Sequence, residues 1–335
     1  MTTTVSANPT PLGLVDKLLF LVALAIAAAL FLSVGWMAMA PADPLGAVSI
    51  VTHAHPLLMI LQAAALVAVA AAIATVIIGA KLPDAGAFAG ALGLSLVALR
   101  GDTAAYLLMH VAQGELGRER GLALELAVEV LVWFLAILLA LLVSGLVVRW
   151  CFCRPDDPVA RVHSAVLARM SVSEMPALAR MVVPSPAAAS LGHVLVGLRF
   201  TAVTAVIAIL VYAILSTGSS PRTIQHGQAY FATFAAFYLG VWAARSWLPL
   251  RTPLWALVAV PVVCIVGYLW TVVMGSSTGH AYLANIPPSR FMRTLPMAFV
   301  GVGTLGVLAS CWTTTDPAPR KEEVPKVRAK RRGRR

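Results

Sequence analysis

Eight long apolar stretches constrain what this chain can fold into more than any other feature. A helix that crosses a membrane needs about 20 mostly apolar residues. Seven stretches meet this length readily, and an eighth does so apart from Arg100 and Asp102 near its middle. The stretches are residues 16–40, 57–80, 86–110, 122–149, 193–215, 228–248, 253–274 and 294–314. Only 12% of the residues are charged, whereas soluble domains typically carry about 25%. The sequence therefore predicts an all-α polytopic membrane protein, a bundle of about eight transmembrane helices.

The distribution of lysine and arginine decides how the stretch 86–110 is interpreted. Cytoplasmic loops of membrane proteins carry an excess of these residues. If 86–110 spans, most of them fall on one side, together with both termini. If it does not, the connection 41–56, which contains neither residue, shares a side with the basic segment 150–192. We therefore expect eight spans with cytoplasmic N and C termini. An alanine- and arginine-rich composition with few lysines favours a bacterial inner membrane.

The first stretch could also be a signal peptide, because it ends in Ala38-Met39-Ala40. It is longer than a secretory hydrophobic region, which has about 7–15 residues. We therefore expect a retained first span.

A long linker divides the predicted spans into two groups of four. Both groups place histidine in an outer loop, a basic residue near proline in an inner turn, and two arginines in a second outer loop. This plan is typical of a weak parallel 4+4 repeat. The expected organisation is a cytoplasmic N-terminal segment, a first membrane group, a cytoplasmic amphipathic linker, a second membrane group and a basic disordered cytoplasmic tail: 1–15, 16–149, 150–192, 193–314 and 315–335.

The C-terminal tail carries much of the net charge of +11. Basic segments next to a membrane bind anionic lipid headgroups. We expect this role, rather than nucleic-acid binding, for Arg328, Lys330, Arg331, Arg332, Arg334 and Arg335.

Four charged residues fall inside or beside the third and fourth spans. If these spans form a hairpin that turns near Leu116, Glu129 lies at the depth of Arg100 and Asp102, and Glu125 lies one helical turn further out. A charge in the bilayer costs about 2.5–3.5 kcal/mol or more and usually faces the bundle interior with a partner. We expect Arg100 to pair with Glu129, with Asp102 or Glu125 as second partner.

Three interpretations of this buried charge cluster remain open. It can be a structural clamp that holds the hairpin together. It can be a proton or cation site in the outer half of the membrane, because three carboxylates against one arginine leave an acidic surplus. Alternatively, residues 86–110 dip into the membrane without crossing it.

Five histidines fall on the predicted outer side: His53, His55, His110, His226 and His280. Histidine is common at membrane interfaces, and this is the simpler interpretation. Metal or haem ligation is the alternative, because side chains at i and i+2 share a face in an extended segment. No complete metal motif or CxxCH sequence is present, so no cofactor is predicted.

Three functions remain open, and a non-enzymatic role is favoured over an enzymatic one. The first is a non-catalytic subunit or scaffold of a membrane complex, in contact with other membrane subunits or with copies of itself. The second is a proton- or cation-coupled transporter that uses the charge cluster. The third is a haem- or quinone-associated protein that uses the outer histidines. The spans contain almost no asparagine or glutamine, which argues against a permease for sugars or amino acids.

Overall fold

The computed structural model describes residues 13–41, 46–79, 82, 84–101, 118–152, 191–216, 226–248, 253–274 and 291–313. These residues form eight helices and no strand, so the prediction of an all-α polytopic membrane protein is confirmed. The helices are α1 (Leu14–Met39), α2 (Pro56–Ile78), α3 (Ala85–Arg100), α4 (Arg118–Phe152), α5 (Leu191–Leu215), α6 (His226–Trp247), α7 (Pro253–Met274) and α8 (Pro296–Thr313). A short 3-10 turn, Phe291–Arg293, precedes α8.

Each predicted span corresponds to one helix, but the helices are not equally suited to lipid. Six are long and apolar enough to cross a membrane, namely α1, α2, α4, α5, α7 and α8. Helix α6 has 22 residues but includes Gln228 and Arg245. Helix α3 has only 16 residues, or about 24 Å at 1.5 Å per residue. It is therefore shorter than a hydrocarbon core of about 30 Å.

The helices alternate in direction, so four helices end and four begin at one face, which we call the distal face. The helices that end there are α1, α3, α5 and α7, and those that begin there are α2, α4, α6 and α8. Arg100 at the end of α3 donates to the carbonyl of Leu32 near the distal end of α1, at 2.9 Å. Arg293, just before α8, donates to the carbonyl of Ser216 after α5, at 3.5 Å. Helix α3 therefore runs in the same direction as α1, α5 and α7.

The opposite, terminal face holds the start of α1 and the end of α8. Aromatic rings from α1, α3 and α8 pack together there, with centroids 4.9–5.6 Å apart: Phe20, Phe88 and Trp312. Arg245 at the end of α6 donates to the carbonyl of Cys311 at 3.0 Å. This contact satisfies a backbone oxygen in the last turn of α8, where no helical partner follows.

Helices α3 and α8 form the centre of the bundle and approach each other closely. A Cβ atom on Gly301 would lie 2.9 Å from the carbonyl oxygen of Ala91, and one on Gly86 would lie 2.8 Å from that of Ala71. Real Cβ atoms are not tolerated so close to backbone, so glycine is required at both positions. Small residues at helix interfaces allow this packing in lipid, where little hydrophobic force drives helices together.

The contacts between the two groups of four have a reciprocal pattern. Across the boundary between the groups, helix α3 packs mainly on α8, and α4 packs mainly on α7. In a parallel 4+4 repeat, α3 corresponds to α7 and α4 corresponds to α8. The α3–α8 contact then corresponds to the α7–α4 contact, as such a repeat requires. The pattern is incomplete, because α2 packs extensively on α3 whereas α6 and α7 have little contact. The repeat therefore stays a prediction.

Helix α3 ends earlier than predicted. We expected a helix through residue 110, but it stops at Arg100, and Gly101 is extended with φ −77° and ψ 173°. A basic residue in the last turn of a helix interacts favourably with the helix dipole. Gly101 then packs against Val48, so the α1–α2 connection occupies the space beyond the helix. Residues 102–117 lie outside the described residues, as do the predicted linker from 153 to 190 and the tail.

Candidate functional site

A carboxyl group lies inside the distal half of the bundle. Glu129 of α4 is 3% exposed, and among the described residues it is the only charged residue that is buried as a whole. It faces the α1–α2 connection on one side and α7 on the other. Burying a charge in this way is expensive unless hydrogen bonds or an opposite charge compensate for the lost water.

Three neutral donors surround this carboxyl. The hydroxyl of Ser49 donates to Oε2 at 2.5 Å. The indole N–H of Trp133, one helical turn further along α4, donates to Oε1 at 2.8 Å. The backbone N–H of Ile50 also donates to the carboxyl. Both oxygens are therefore satisfied without a basic side chain, in a water-poor setting where hydrogen bonds are strong.

Local folding of the α1–α2 connection brings Ser49 to this position. The backbone is not helical from residue 46 to residue 49, and Val48 and Ser49 are buried. Ser49 Oγ accepts from the backbone N–H of Val51 at 3.2 Å, which closes a tight local turn. The hydroxyl of Thr52 donates back to the carbonyl of Ser49 at 3.4 Å. The chain then leaves the bundle and begins α2 at Pro56, where proline fits because its missing N–H would have no helical partner.

Hydroxyl groups extend the polar region towards the second group of helices. The Glu129 carboxyl lies within electrostatic reach of Cys264 and Tyr268 on α7. Tyr268 donates to the carbonyl of Thr294 at 2.6 Å, and the hydroxyls of Tyr212 and Thr294 are 2.8 Å apart. A buried polar layer thus runs below the distal face from one group to the other.

The structure does not form the expected ion pair between Arg100 and Glu129. Arg100 is exposed, donates to the carbonyl of Leu32, and lies 4.4 Å above the ring of Trp36. The reason is that α3 ends at this residue, so the guanidinium reaches the membrane interface along α1. A π-helical turn at Phe31–Gly35 interrupts the regular hydrogen bonding of α1 around the carbonyl that Arg100 uses. Aromatic faces attract cations in this arrangement.

The other two members of the predicted charge cluster are only partly described. Glu125 is half-buried, one helical turn from Glu129 on the same face of α4. Asp102 lies outside the described residues. The structure therefore brings together Glu125 and Glu129 and separates both from Arg100.

The histidines that can be described do not converge on one point. His53 Nδ1 accepts from the backbone N–H of His55 at 3.1 Å, so a local turn uses this ring nitrogen. His226 begins α6, and His110 and His280 lie outside the described residues. In the described part of the chain, no group of three or more His, Cys, Asp or Glu residues could hold a metal ion.

A second buried carboxyl lies outside the spans, in the turn between α2 and α3. Oδ1 of Asp84 is buried and has no hydrogen-bond partner among the described residues. Asp84 occupies the N-cap position of α3, but its side chain makes no capping bond. Burial raises the pKa of Asp84 to about 6, because the charged form loses its water.

Sequence reasoning found Glu129 but missed two of its partners. Trp133 had a detectable signal, since a buried indole usually requires an acceptor and Glu129 lies four residues before it on the same helix face. Ser49 had none, because no periodic pattern places a loop serine inside a bundle.

Comparisons with known proteins leave the family open: no protein-family model, no curated protein and no solved structure matches this chain.

Proposed function

We propose that this protein is a proton-coupled membrane transporter in which Glu129 binds and releases the proton. One observation carries the proposal: a buried carboxyl in a helix bundle is satisfied by neutral donors. Ionisable residues inside membrane bundles commonly mark proton or ion pathways. A paired arginine would hold Glu129 ionised, whereas neutral partners allow both protonation states.

Ser49 makes the two states compatible with one geometry. A hydroxyl can donate and accept, whereas an indole N–H and a backbone N–H can only donate. When Glu129 is ionised, Ser49 donates to Oε2. When Oε2 carries the proton, the hydroxyl of Ser49 can rotate and accept it, while Trp133 continues to donate to Oε1. Proton binding therefore needs no rearrangement of the surrounding helices.

The same donors favour a proton over a metal cation. A metal cation requires several oxygen ligands with free lone pairs. Both oxygens of Glu129 already accept hydrogen bonds from Ser49, Trp133 and Ile50. A cation would have to displace these donors, whereas a proton requires only that the Ser49 hydroxyl rotate from donating to accepting.

A flux measurement tests the proposal. The purified full chain is reconstituted in liposomes, and proton movement driven by a potassium diffusion potential is followed with an internal pH dye. We expect flux in the wild type and its loss in Glu129→Gln, which keeps the shape of the side chain but cannot carry the proton. Asp16→Asn, at the terminal end of α1, is the matched acid-to-amide control and should retain flux. Wild-type flux in Glu129→Gln would refute the proposal.

The low burial of α1 favours a second function, a subunit of a membrane complex. In the most apolar 18 residues of α1, only 22% of the positions are buried, which is the lowest fraction among the six apolar spans. Leu14 and Met37 are each 75% exposed. Such a face is covered by lipid or by another protein. Purification in mild detergent tests this function: a stoichiometric partner that is lost when bulky residues are placed on the exposed face of α1 would support it.

The distribution of charge supports a proposal for the orientation of the protein. We place the terminal face in the cytoplasm of a bacterial cell, because lysine and arginine are concentrated on that side. The distal face, and with it access to Glu129, then faces the outside. Labelling of a single cysteine introduced at Leu14 by an impermeant maleimide, applied to intact cells, checks this: labelling would contradict the orientation.

A further inference from the structure

The α1–α2 connection contains backbone that is buried although it is not helical. Residues 46–52, which we call the distal segment, enter the bundle at its distal end. Within it, Ala47 is 1% exposed, Val48 0% and Ser49 2%. Irregular backbone at membrane depth occurs where protein surrounds it or where it lines a water-filled cavity. A connection that served only to join two helices would lie on the surface instead.

Two contacts hold the distal segment in place. Ser49 and Ile50 donate hydrogen bonds to Glu129. Val48 packs against Gly101, where a Cβ atom would lie only 2.7 Å from Val48 Cγ2. Gly101 is therefore required for this close approach, and it lies directly after the short helix α3.

The distal segment lies between the carboxyl and the outside. Its buried residues contact Glu129, while exposure increases along the chain to Thr52 and His55, which are exposed. Among the described residues, Ser49 and Ile50 cover the carboxyl on this side, so water that enters along the distal segment reaches Glu129 after their hydrogen bonds have been released.

We propose that the distal segment is a gate that closes the access of water from the distal face to Glu129. The importance of the gate rests on the proposed role of Glu129 as a proton site, but its closure can be measured independently of transport. When the segment leaves Glu129, one hydrogen-bonding face of the carboxyl becomes open to water, and Trp133 keeps the other. The gate therefore moves without removing the carboxyl from its helix.

Chemical labelling of Glu129 tests the gate. The full chain is placed in lipid nanodiscs and treated with a water-soluble carbodiimide. The carboxyl oxygen adds to the central carbon of the reagent, its proton moves to a nitrogen, and rearrangement gives a stable N-acylurea on Glu129. The rate of adduct formation at this residue is measured by peptide mass spectrometry, so other carboxyls do not interfere.

One variant opens the gate and another locks it. Ser49→Ala removes the side-chain bond and should raise the labelling rate about tenfold, since losing one hydrogen bond to a charged group shifts an opening equilibrium by about that factor. Ser144→Ala is the matched control, because Ser144 is equally buried but bonds only to its own helix. The double variant Val48→Cys, Gly101→Cys should form a disulfide, because Val48→Cys removes the methyl group that a Cβ atom at position 101 would meet and a bond between the two sulfurs takes up the close contact. Oxidation should then suppress labelling, and reduction should restore it.

The outcomes separate the gate from the proposed function. Equal labelling of wild type, Ser49→Ala and Ser144→Ala would overturn the gate, and so would undiminished labelling after the disulfide has formed. If the double variant does not fold, the comparison of Ser49→Ala with Ser144→Ala decides alone. The single cysteine variants, oxidised in parallel, control for the native cysteines. Retained flux in Glu129→Gln would instead refute the proton site, whatever the labelling shows.

Discussion

Two short segments outside the α-helices are buried at the distal face, one in each group of helices, and they differ in what they bind. The distal segment contacts an ionisable side chain, Glu129, through Ser49. In the segment 291–295, which leads into α8, Thr294 instead bonds neutral hydroxyls: Tyr268 donates to its carbonyl, and the hydroxyl of Tyr212 lies 2.8 Å from its own. Met292 and Thr294 are as deeply buried as the first segment. The comparison shows that a buried segment at this face does not require an ionisable partner, and in the proposed function the carboxyl gives the first segment a chemical role that the second lacks.

Removing the carboxyl of Glu129 should produce the largest functional difference between the two segments. We expect Glu129→Gln to lower proton flux by about 100-fold, the scale on which loss of a proton-transferring group acts. Tyr268→Phe, which removes the bond to Thr294 in the second segment, should leave flux within about twofold of the wild type. Liposome flux measurements on both variants check this. Equal losses would mean that the two segments share one function.

Removing one donor from each region should affect stability unequally. Trp133→Phe leaves a buried carboxyl oxygen without its partner, which typically costs about 1–3 kcal/mol. Tyr212→Phe removes a hydroxyl bound to another neutral hydroxyl, at a cost of about 0.5–1.5 kcal/mol. Thermal unfolding in detergent measures both. A larger loss of stability in Tyr212→Phe than in Trp133→Phe would indicate that the donor to the carboxyl contributes less than the hydroxyl pair.

Asp84 provides a carboxyl that is buried without donors, against which the Glu129 site can be compared. Burial raises its pKa to about 6 in the folded protein from the usual value of 3.8. The folded state therefore binds the proton more tightly, and stability is lost as pH rises from about 4 through 6. Asp84→Asn should raise the unfolding temperature above pH 6, by a stabilisation on the order of 1 kcal/mol after screening, and should change little below pH 4. Unfolding scans across this range check the sign, and a stabilisation confined to low pH would contradict it.

The smallest effect is expected at Arg100, the residue first expected to pair with Glu129. Arg100→Ala loses a contact with Trp36 and a bond to a backbone carbonyl, together worth about 0.5–1 kcal/mol at an exposed site. Flux should stay within about twofold of the wild type, because the guanidinium does not contact the carboxyl. Loss of flux in a folded Arg100→Ala protein would show that the two charges are coupled after all.

The sequence predicted the helices better than their ends. Eight apolar stretches were enough to predict eight helices, because each needs only length and composition. The end of α3 could not be predicted in this way, since it depends on the contact of Gly101 with Val48. The prediction about Arg100 depended on that end. A helix continuing to residue 110 would have placed the guanidinium at the depth of Glu129, whereas a helix that ends at residue 100 places it at the interface.

The candidate site likewise contains residues that the sequence reveals and one that it does not. Glu129 was found because a charge in an apolar stretch is visible in the sequence, and Trp133 could have been found from its spacing. Ser49 could not, because its role depends on a loop folding into the bundle. The spacing of apolar residues along the chain carries no information about where such a loop packs in the bundle.

The π-helical turn of α1 has a consequence for the register of that helix. The buried positions of α1 recur at every fourth residue: Ala23, Ala27, Phe31, Gly35 and Met39. At about 100° per residue, an unbroken α-helix would carry the last of these about 160° around the axis from the first, away from the bundle. The wider π turn at Phe31–Gly35 rotates less per residue and takes back part of this drift. Deleting one residue from the turn would rotate the distal end of α1 by about 100° and move Trp36 off Arg100. The π turn thus changes the angular position of the residues that follow it, so that one face of α1 contacts the bundle along its length.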